Sequence, residues 1–161
     1  MKLTIQQQLK KTEIGLSAVM LMADHGLIDT GWKFKFDSAK RRFGCCNYTR
    51  KTISLSLPLN LIRTEEMIMN TMLHEIAHAL VGYNAGHGPV WKAKAMAIGC
   101  NGDRCSSDVS LPKKWVGTCP NGHTMARHRK SKGGACAKCC NAHNNGRYSD
   151  KYQWSWEKKS I

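Results

Sequence analysis

The residues with the clearest capacity for chemistry lie in the stretch LHEIAHALVGYNAGHGPVW, residues 73–91. His74 and His78 are four positions apart, and on a helix this spacing projects both imidazoles from one face, within reach of a single ion. Glu75 lies about 100° round the helix from His74, where its carboxylate can hold a water on that ion without ligating it. This His-Glu-x-x-His arrangement is typical of a catalytic zinc site.

A catalytic zinc also needs a third protein ligand and an open fourth position. His87 is the best candidate, because Gly82 can end the helix and Gly86 permits a sharp return to the same face. The alternative is that the histidines are helix-surface or hydrogen-bonded core residues, but three of them at this spacing favour zinc. Acidic alternatives after His78 are scarce: Asp103, Asp108, Asp150 and Glu157.

A second candidate metal site lies near the end of the chain. Cys119-x-x-x-His123 and Cys136-x-x-Cys139 form two half-sites separated by twelve residues, a layout that suits a closed structural zinc better than free thiols. Reducing conditions keep thiols free in a chain expected to be cytoplasmic, which argues against a disulfide framework. The rival ligands are His128 and Cys140. The remaining cysteines lack ligand spacing and are interpreted as structural: Cys45, Cys46, Cys100 and Cys105.

The net charge of +14 is concentrated in the last third of the chain. Residues 112–161 contain eleven basic residues but only Asp150 and Glu157 as acids, which favours a polyanionic partner over a merely solvated basic face. Interleaved cations and aromatic rings fit single-stranded or junction DNA. The alternation in YQWSW instead favours packing of Tyr152, Trp154 and Trp156 against the module itself. The candidate DNA contacts are Arg127, Arg129, Lys130 and Lys132.

The elements that must position these residues follow from periodicity and caps. We predict a helix over about 4–25, a strand over 31–37, and two further strands around a turn at 49–51, together an antiparallel meander. Thr64 should cap a helix ending near Gly82, and Pro89 should open another ending near Gly99. Pro112 marks a boundary between a domain at 1–111 and a basic module at 112–161. No apolar run is long enough to span a membrane, and we expect no signal peptide.

The stretch HEIAHALVGYNAGHGPVW resembles the SprT-like metalloprotease family, which includes the Spartan DNA–protein crosslink proteases. In that family His-Glu-x-x-His is followed by a variable spacer, a His-Gly pair and an aromatic residue three positions after that histidine. Here the aromatic residue falls four positions after His87, at Trp91. FGCCNYTRKTISLS is similar to the family's strand pair before the active-site helix, and a comparable Cys/His segment follows downstream, which supports Cys119 and His123.

This resemblance implies an α+β fold with an N-terminal helix, a small antiparallel sheet, a zincin-type active-site helix pair and a C-terminal zinc ribbon. It implies a zinc peptidase acting on proteins held on DNA, with one catalytic and one structural zinc and with Glu75 activating water. We expect a cytoplasmic, nucleic-acid-associated protein with no membrane partner. Two alternatives stay open: a non-catalytic zinc-containing DNA-binding protein in transcription or replication, and a zinc hydrolase of small molecules or cell wall.

Overall fold

The computed structural model describes residues 2–104 and 109–159 of the chain. The chain divides into two units, Met1–Leu111 and Pro112–Ile161. The first unit contains, in order, α1 Ile5–Asp24, β1 Lys33–Asp37, β2 Gly44–Asn47, β3 Thr52–Ser56, α2 Leu57–Asn60, α3 Glu65–Val81, a 3-10 turn Tyr83–Ala85, and α4 Pro89–Ala97. The second contains β4 Trp115–Thr118, β5 Thr124–Arg127, α5 Ala137–His143, a 3-10 turn Asp150–Tyr152, and β6 Ser155–Lys158.

The predicted α+β class is confirmed, and side-chain caps explain where its two long helices begin. Thr4 accepts a hydrogen bond from the backbone N–H of Gln7 at 3.2 Å, and the Gln7 side chain accepts one from the Thr4 N–H at 3.1 Å. This reciprocal capping box satisfies two backbone donors that the helix itself cannot. Thr64 caps α3 in the predicted place, with Glu65 and Glu66 in the first turn, where the helix dipole favours acids.

The sheet of the first unit is mixed, so the predicted antiparallel meander is wrong for its first strand. The strand order is β1-β3-β2, with β1 parallel and β2 antiparallel to the central β3. The reason is that residues 38–43 do not form a tight turn but pass across the end of β3. Ser56 donates its hydroxyl to the Ala39 carbonyl at 2.6 Å and its N–H to the Phe43 carbonyl at 2.8 Å. This crossing leaves β2 at a sheet edge.

Helix α3 lies between two apolar clusters. One face packs against β3 and α1, through buried residues that include Ala18, Met22, Ile53, Leu55, Met72 and Ile76. Leu73 and Ala77 pack against α4 on another side, with Trp91, Ala95 and Cys100. Because α3 is held from two sides, the direction of its remaining side chains is closely set.

The second unit is a three-stranded antiparallel sheet of order β5-β4-β6 with the short helix α5. Its buried cluster is dominated by sulfur and contains Cys119, Cys136, Cys139, Cys140 and Tyr152. Trp154 packs against this cluster and Trp156 lies over Gly117. Tyr152 is buried and the two tryptophans are half-buried, as expected for aromatic residues that pack against the module itself.

Among the described residues, no helix combines the length and the apolar character needed to cross a membrane.

Candidate metal centres

Three imidazoles in the first unit converge on one point. His74 and His78 project from α3, and His87 follows the 3-10 turn. Nε2 of His87 lies 3.0 Å from Nε2 of His78 and 3.1 Å from Nε2 of His74. Tetrahedral zinc with Zn–N bonds of about 2.0–2.1 Å places its ligand nitrogens about 3.3 Å apart. These residues therefore fit a zinc ion as three neutral nitrogen donors.

Two glycines return the chain to the metal-binding face. Gly82 ends α3 with φ 85°, and Gly86 ends the 3-10 turn with φ 50°. Both values lie in the left-handed region, which side chains rarely adopt. Pro89 then opens α4 two residues after His87, as its fixed φ favours.

Trp91 forms a wall that all three imidazoles share. Its ring centroid lies 4.6 Å from that of His74, 4.7 Å from that of His87 and 5.2 Å from that of His78, with which it stacks at 26°. The Trp91 side chain is only 1% exposed. Sequence analysis identified Trp91 only as the aromatic residue of the pattern that the chain resembles, and it did not predict this contact with the imidazoles.

A polar bridge missed by sequence reasoning orients His74. The imidazole hydrogen-bonds to the backbone of Asp103, and this bond raises its pKa against the stronger lowering by burial. The segment carrying Asp103 is held on α3 because Asn101 donates its N–H to the Asn70 side chain at 2.8 Å. Metal-binding histidines commonly use their second ring nitrogen this way. Asp103 thus contributes its backbone rather than the carboxylate considered as a rival ligand; Asp108 and Cys105 lie outside the described residues.

Glu75 is buried beside the imidazoles rather than directed to solvent. Its side chain is 7% exposed and lies against Gly44 of the edge strand β2. Burial raises the pKa of Glu75 to about 7, although the charge of Arg42 and a backbone hydrogen bond at Cys46 oppose the shift. A carboxylate that titrates near neutral pH is suited to taking up and releasing protons.

These groups line a cleft of about 500 Å³. One part of the wall is formed by residues 41–46, which include the edge strand β2, and another part by His74, Glu75 and His78. Tyr48 closes one side, where its hydroxyl donates to the His78 carbonyl at 3.2 Å. Cys45 and Cys46 also lie on this wall as free thiols, and burial raises the pKa of Cys46 to about 12.

The second unit brings Cys119, His123, Cys136 and Cys139 together. Nδ1 of His123 lies 3.2, 3.5 and 3.6 Å from the sulfurs of Cys139, Cys119 and Cys136. The sulfurs of Cys119 and Cys139 are 3.7 Å apart, close to the spacing of about 3.8 Å given by Zn–S bonds of about 2.3 Å. Four donors at these distances fit a closed tetrahedral zinc, and the rivals His128 and Cys140 lie outside the cluster.

The four candidate DNA-contacting residues are exposed on the second unit. The Arg127 guanidinium lies over the Trp156 ring at 5.9 Å, and the Lys130 ammonium over Trp115 at 5.5 Å. Strand register places Trp115, Arg127 and Lys158 side by side on one face. Arg129 and Lys132 lie nearby in sequence, in the loop after β5.

Comparison with known proteins gives one match. The model of the SprT-like family matches residues 21–110, which is more than half of the chain and includes the three-histidine cluster. No curated protein and no solved structure matches the chain.

The histidine cluster generates a prediction about pH. Burial lowers the pKa of His74 and of His78 to about 4, and it also lowers the pKa of His87. Neutral imidazole is the form that binds metal, so protons should compete for the first two ligands near pH 4 and not near the usual value of about 6.5. Affinity for Co²⁺, followed by the d–d bands of the imidazole site, should therefore fall less between about pH 7 and pH 5 than it would for three imidazoles of ordinary pKa. A loss of affinity as steep as that expected for three imidazoles with the usual pKa of about 6.5 would contradict the burial argument.

Proposed function

The chain belongs to the SprT-like family, and on that basis we propose that it is a zinc-dependent peptidase acting on proteins bound to DNA. The observation that carries this proposal is the buried carboxyl of Glu75 beside three converging imidazoles, in a cleft walled by an edge strand. A closed structural zinc takes four protein ligands, whereas this cluster, among the described residues, offers three. The arrangement favours a catalytic over a structural centre.

The chain's own residues would divide the chemistry between them. His74, His78 and His87 would hold a zinc ion, which would supply Lewis-acid chemistry when bound. Glu75 accepts the proton that the attacking water loses and passes it to the leaving amine. Trp91 excludes water from the buried side of the imidazoles.

The edge strand favours a peptide as the substrate. Backbone N–H and C=O groups of an edge strand can pair with an added extended segment. Residues 44–46 of β2 face the same cleft as the histidines, so a peptide bound along this strand would pass the metal. This feature supports the peptidase over a hydrolase of small molecules.

The second unit supports DNA as the place where the substrate is found. It has a surplus of basic residues, and Arg127 and Lys130 lie over tryptophan rings. Exposed cations beside aromatic rings suit contacts with the phosphates and bases of single-stranded or junction DNA. The alternative is a non-catalytic zinc protein that binds DNA in transcription or replication, which the variants below distinguish.

Glu75→Gln should abolish most turnover but retain zinc. The amide keeps the shape of the side chain and cannot accept the proton, so the cleavage rate should fall roughly a hundredfold or more. The measurement is cleavage of a DNA-bound protein, with and without single-stranded DNA, alongside metal analysis. Glu66→Gln, the same change at an exposed position in the first turn of α3, should leave the rate unchanged. Equal inactivity of wild type and Glu75→Gln, both fully zinc-loaded, would favour the non-catalytic alternative.

Metal analysis of the purified protein should approach two zinc ions per chain. His87→Ala removes one nitrogen donor from the first cluster and Cys136→Ala one thiolate from the second, so each should lose one ion under chelator challenge. His143→Ala and Cys140→Ala are the matched controls and should retain both ions. Loss of an ion from Cys140→Ala would instead make this residue a ligand.

Replacing Arg127, Arg129, Lys130 and Lys132 with alanine should weaken DNA binding and flatten its salt dependence. Each phosphate contact with a single strand contributes about 0.7 to the slope of log K against log salt, so the slope should fall by up to about 3. Four exposed cations of the first unit provide a control of equal charge change: Lys33, Lys35, Arg50 and Lys94. An unchanged slope in the variant that lacks the four second-unit cations would indicate that DNA binds elsewhere, for example at Lys40, Arg41 and Arg42.

A further inference from the structure

We infer that Gly44 is a positioning residue for the Glu75 carboxyl, because a side chain at position 44 would occupy the space that the carboxyl uses. A Cβ atom built on Gly44 would lie 2.6 Å from Oε1, 2.8 Å from Cγ and 3.0 Å from Cδ of Glu75. Carbon and oxygen atoms in ordinary contact are about 3.5 Å apart or more. Three atoms of one side chain are thus too close for any residue other than glycine to be accommodated without movement.

The backbone of Gly44 does not itself require glycine. Its φ lies outside the left-handed region, unlike those of Gly82 and Gly86. In an ordinary strand conformation, alanine is favoured over glycine because it restricts the unfolded chain. The requirement for glycine therefore comes from the neighbouring carboxyl and not from the turn of the chain.

The strand carrying Gly44 is anchored and cannot easily move away. Gly44 pairs with Leu55 of the central strand. The carbonyl of Phe43, one residue earlier, accepts hydrogen bonds from the Ser56 N–H at 2.8 Å and from the Asn60 side chain at 3.0 Å. The buried Arg63 guanidinium lies 4.0 Å from the centre of the Phe43 ring. These contacts fix the start of β2 from three directions.

The helix carrying Glu75 is equally constrained, since Ile76 and Ala77 beside it are fully buried in the two clusters that hold α3. An added methyl group at position 44 therefore has to displace the Glu75 side chain. Displacement moves the carboxyl relative to His74 and His78 but removes none of the metal ligands. The effect of this displacement on turnover rests on the proposed function. The steric relation between Gly44 and Glu75 is independent of the proposed function.

A double-mutant cycle tests this relation in the zinc-loaded, full-length protein. The four members are wild type, Gly44→Ala, Glu75→Ala and the double variant, compared by the midpoint of thermal unfolding and by zinc content. In the wild-type background Gly44→Ala should lower the midpoint by about 2–4 °C or more. In the Glu75→Ala background the same change should leave the midpoint unchanged or raise it, because the clash is absent. All four proteins should retain zinc at both sites.

Gly15→Ala is the matched control. Its added Cβ would meet Phe36 at 3.7 Å, an ordinary contact, so its effect should be the same in both backgrounds. If Gly44→Ala alone fails to fold while the double variant folds, the inference is supported. An equal loss of stability in both backgrounds would overturn it, as would a double variant that fails to fold.

Peptide hydrolysis provides the second measurement. Gly44→Ala should lower kcat by roughly a hundredfold with KM little changed, because a reacting group moved by about 1 Å loses its alignment. A wild-type rate in Gly44→Ala would overturn the positioning role. If the wild-type protein hydrolyses no peptide, the proposed function fails, and the unfolding cycle alone decides whether Gly44 makes room for Glu75.

Discussion

Helix α3 has to bury two apolar faces and still hold two imidazoles at one point, and the first unit is arranged around this requirement. Met72 and Ile76 pack one face of the helix against β3 and α1, and Leu73 and Ala77 pack another face against α4. The turn of the helix then leaves His74 and His78 between these faces. Trp91 contacts both rings and limits their rotation on its side.

The two candidate metal centres differ in their number of donors and in what a bound metal would contribute to folding. The cluster in the second unit has four donors, three of them buried thiols, in a unit too small to gain much from an apolar core. A metal there would contribute directly to folding. The cluster in the first unit has three nitrogen donors at the side of a cleft, within a domain that has its own core. That domain can hold an incompletely ligated ion because its fold does not depend on closing the site.

Local chemistry explains what could be predicted from the sequence. Threonine caps, a proline at the start of α4 and a glycine at the end of α3 all act within a few residues, and these boundaries are close to those expected. The convergence of His74, His78 and His87 also follows from short-range spacing and two glycines.

Features that depend on distant pairing could not be predicted. The parallel pairing of β1 with β3 arises from the crossing of residues 38–43, which reads locally as a turn. Asn70 meets Asn101 across 31 residues, and Gly44 meets Glu75 across a comparable separation. Nothing near any of these residues in the sequence indicates its partner.

The wall that Trp91 provides also bears on which ions the first centre can accept. An ion that prefers six ligands and longer bonds would require the imidazoles to spread apart, and all three rings already contact a fully enclosed indole. Protein interiors resist such expansion because they are packed as densely as organic crystals. Magnesium and calcium are disfavoured by the nitrogen donors, because both ions prefer oxygen ligands. Packing behind the ligands therefore opposes movement of the imidazoles toward Trp91, in addition to the preference for metals set by the donor atoms.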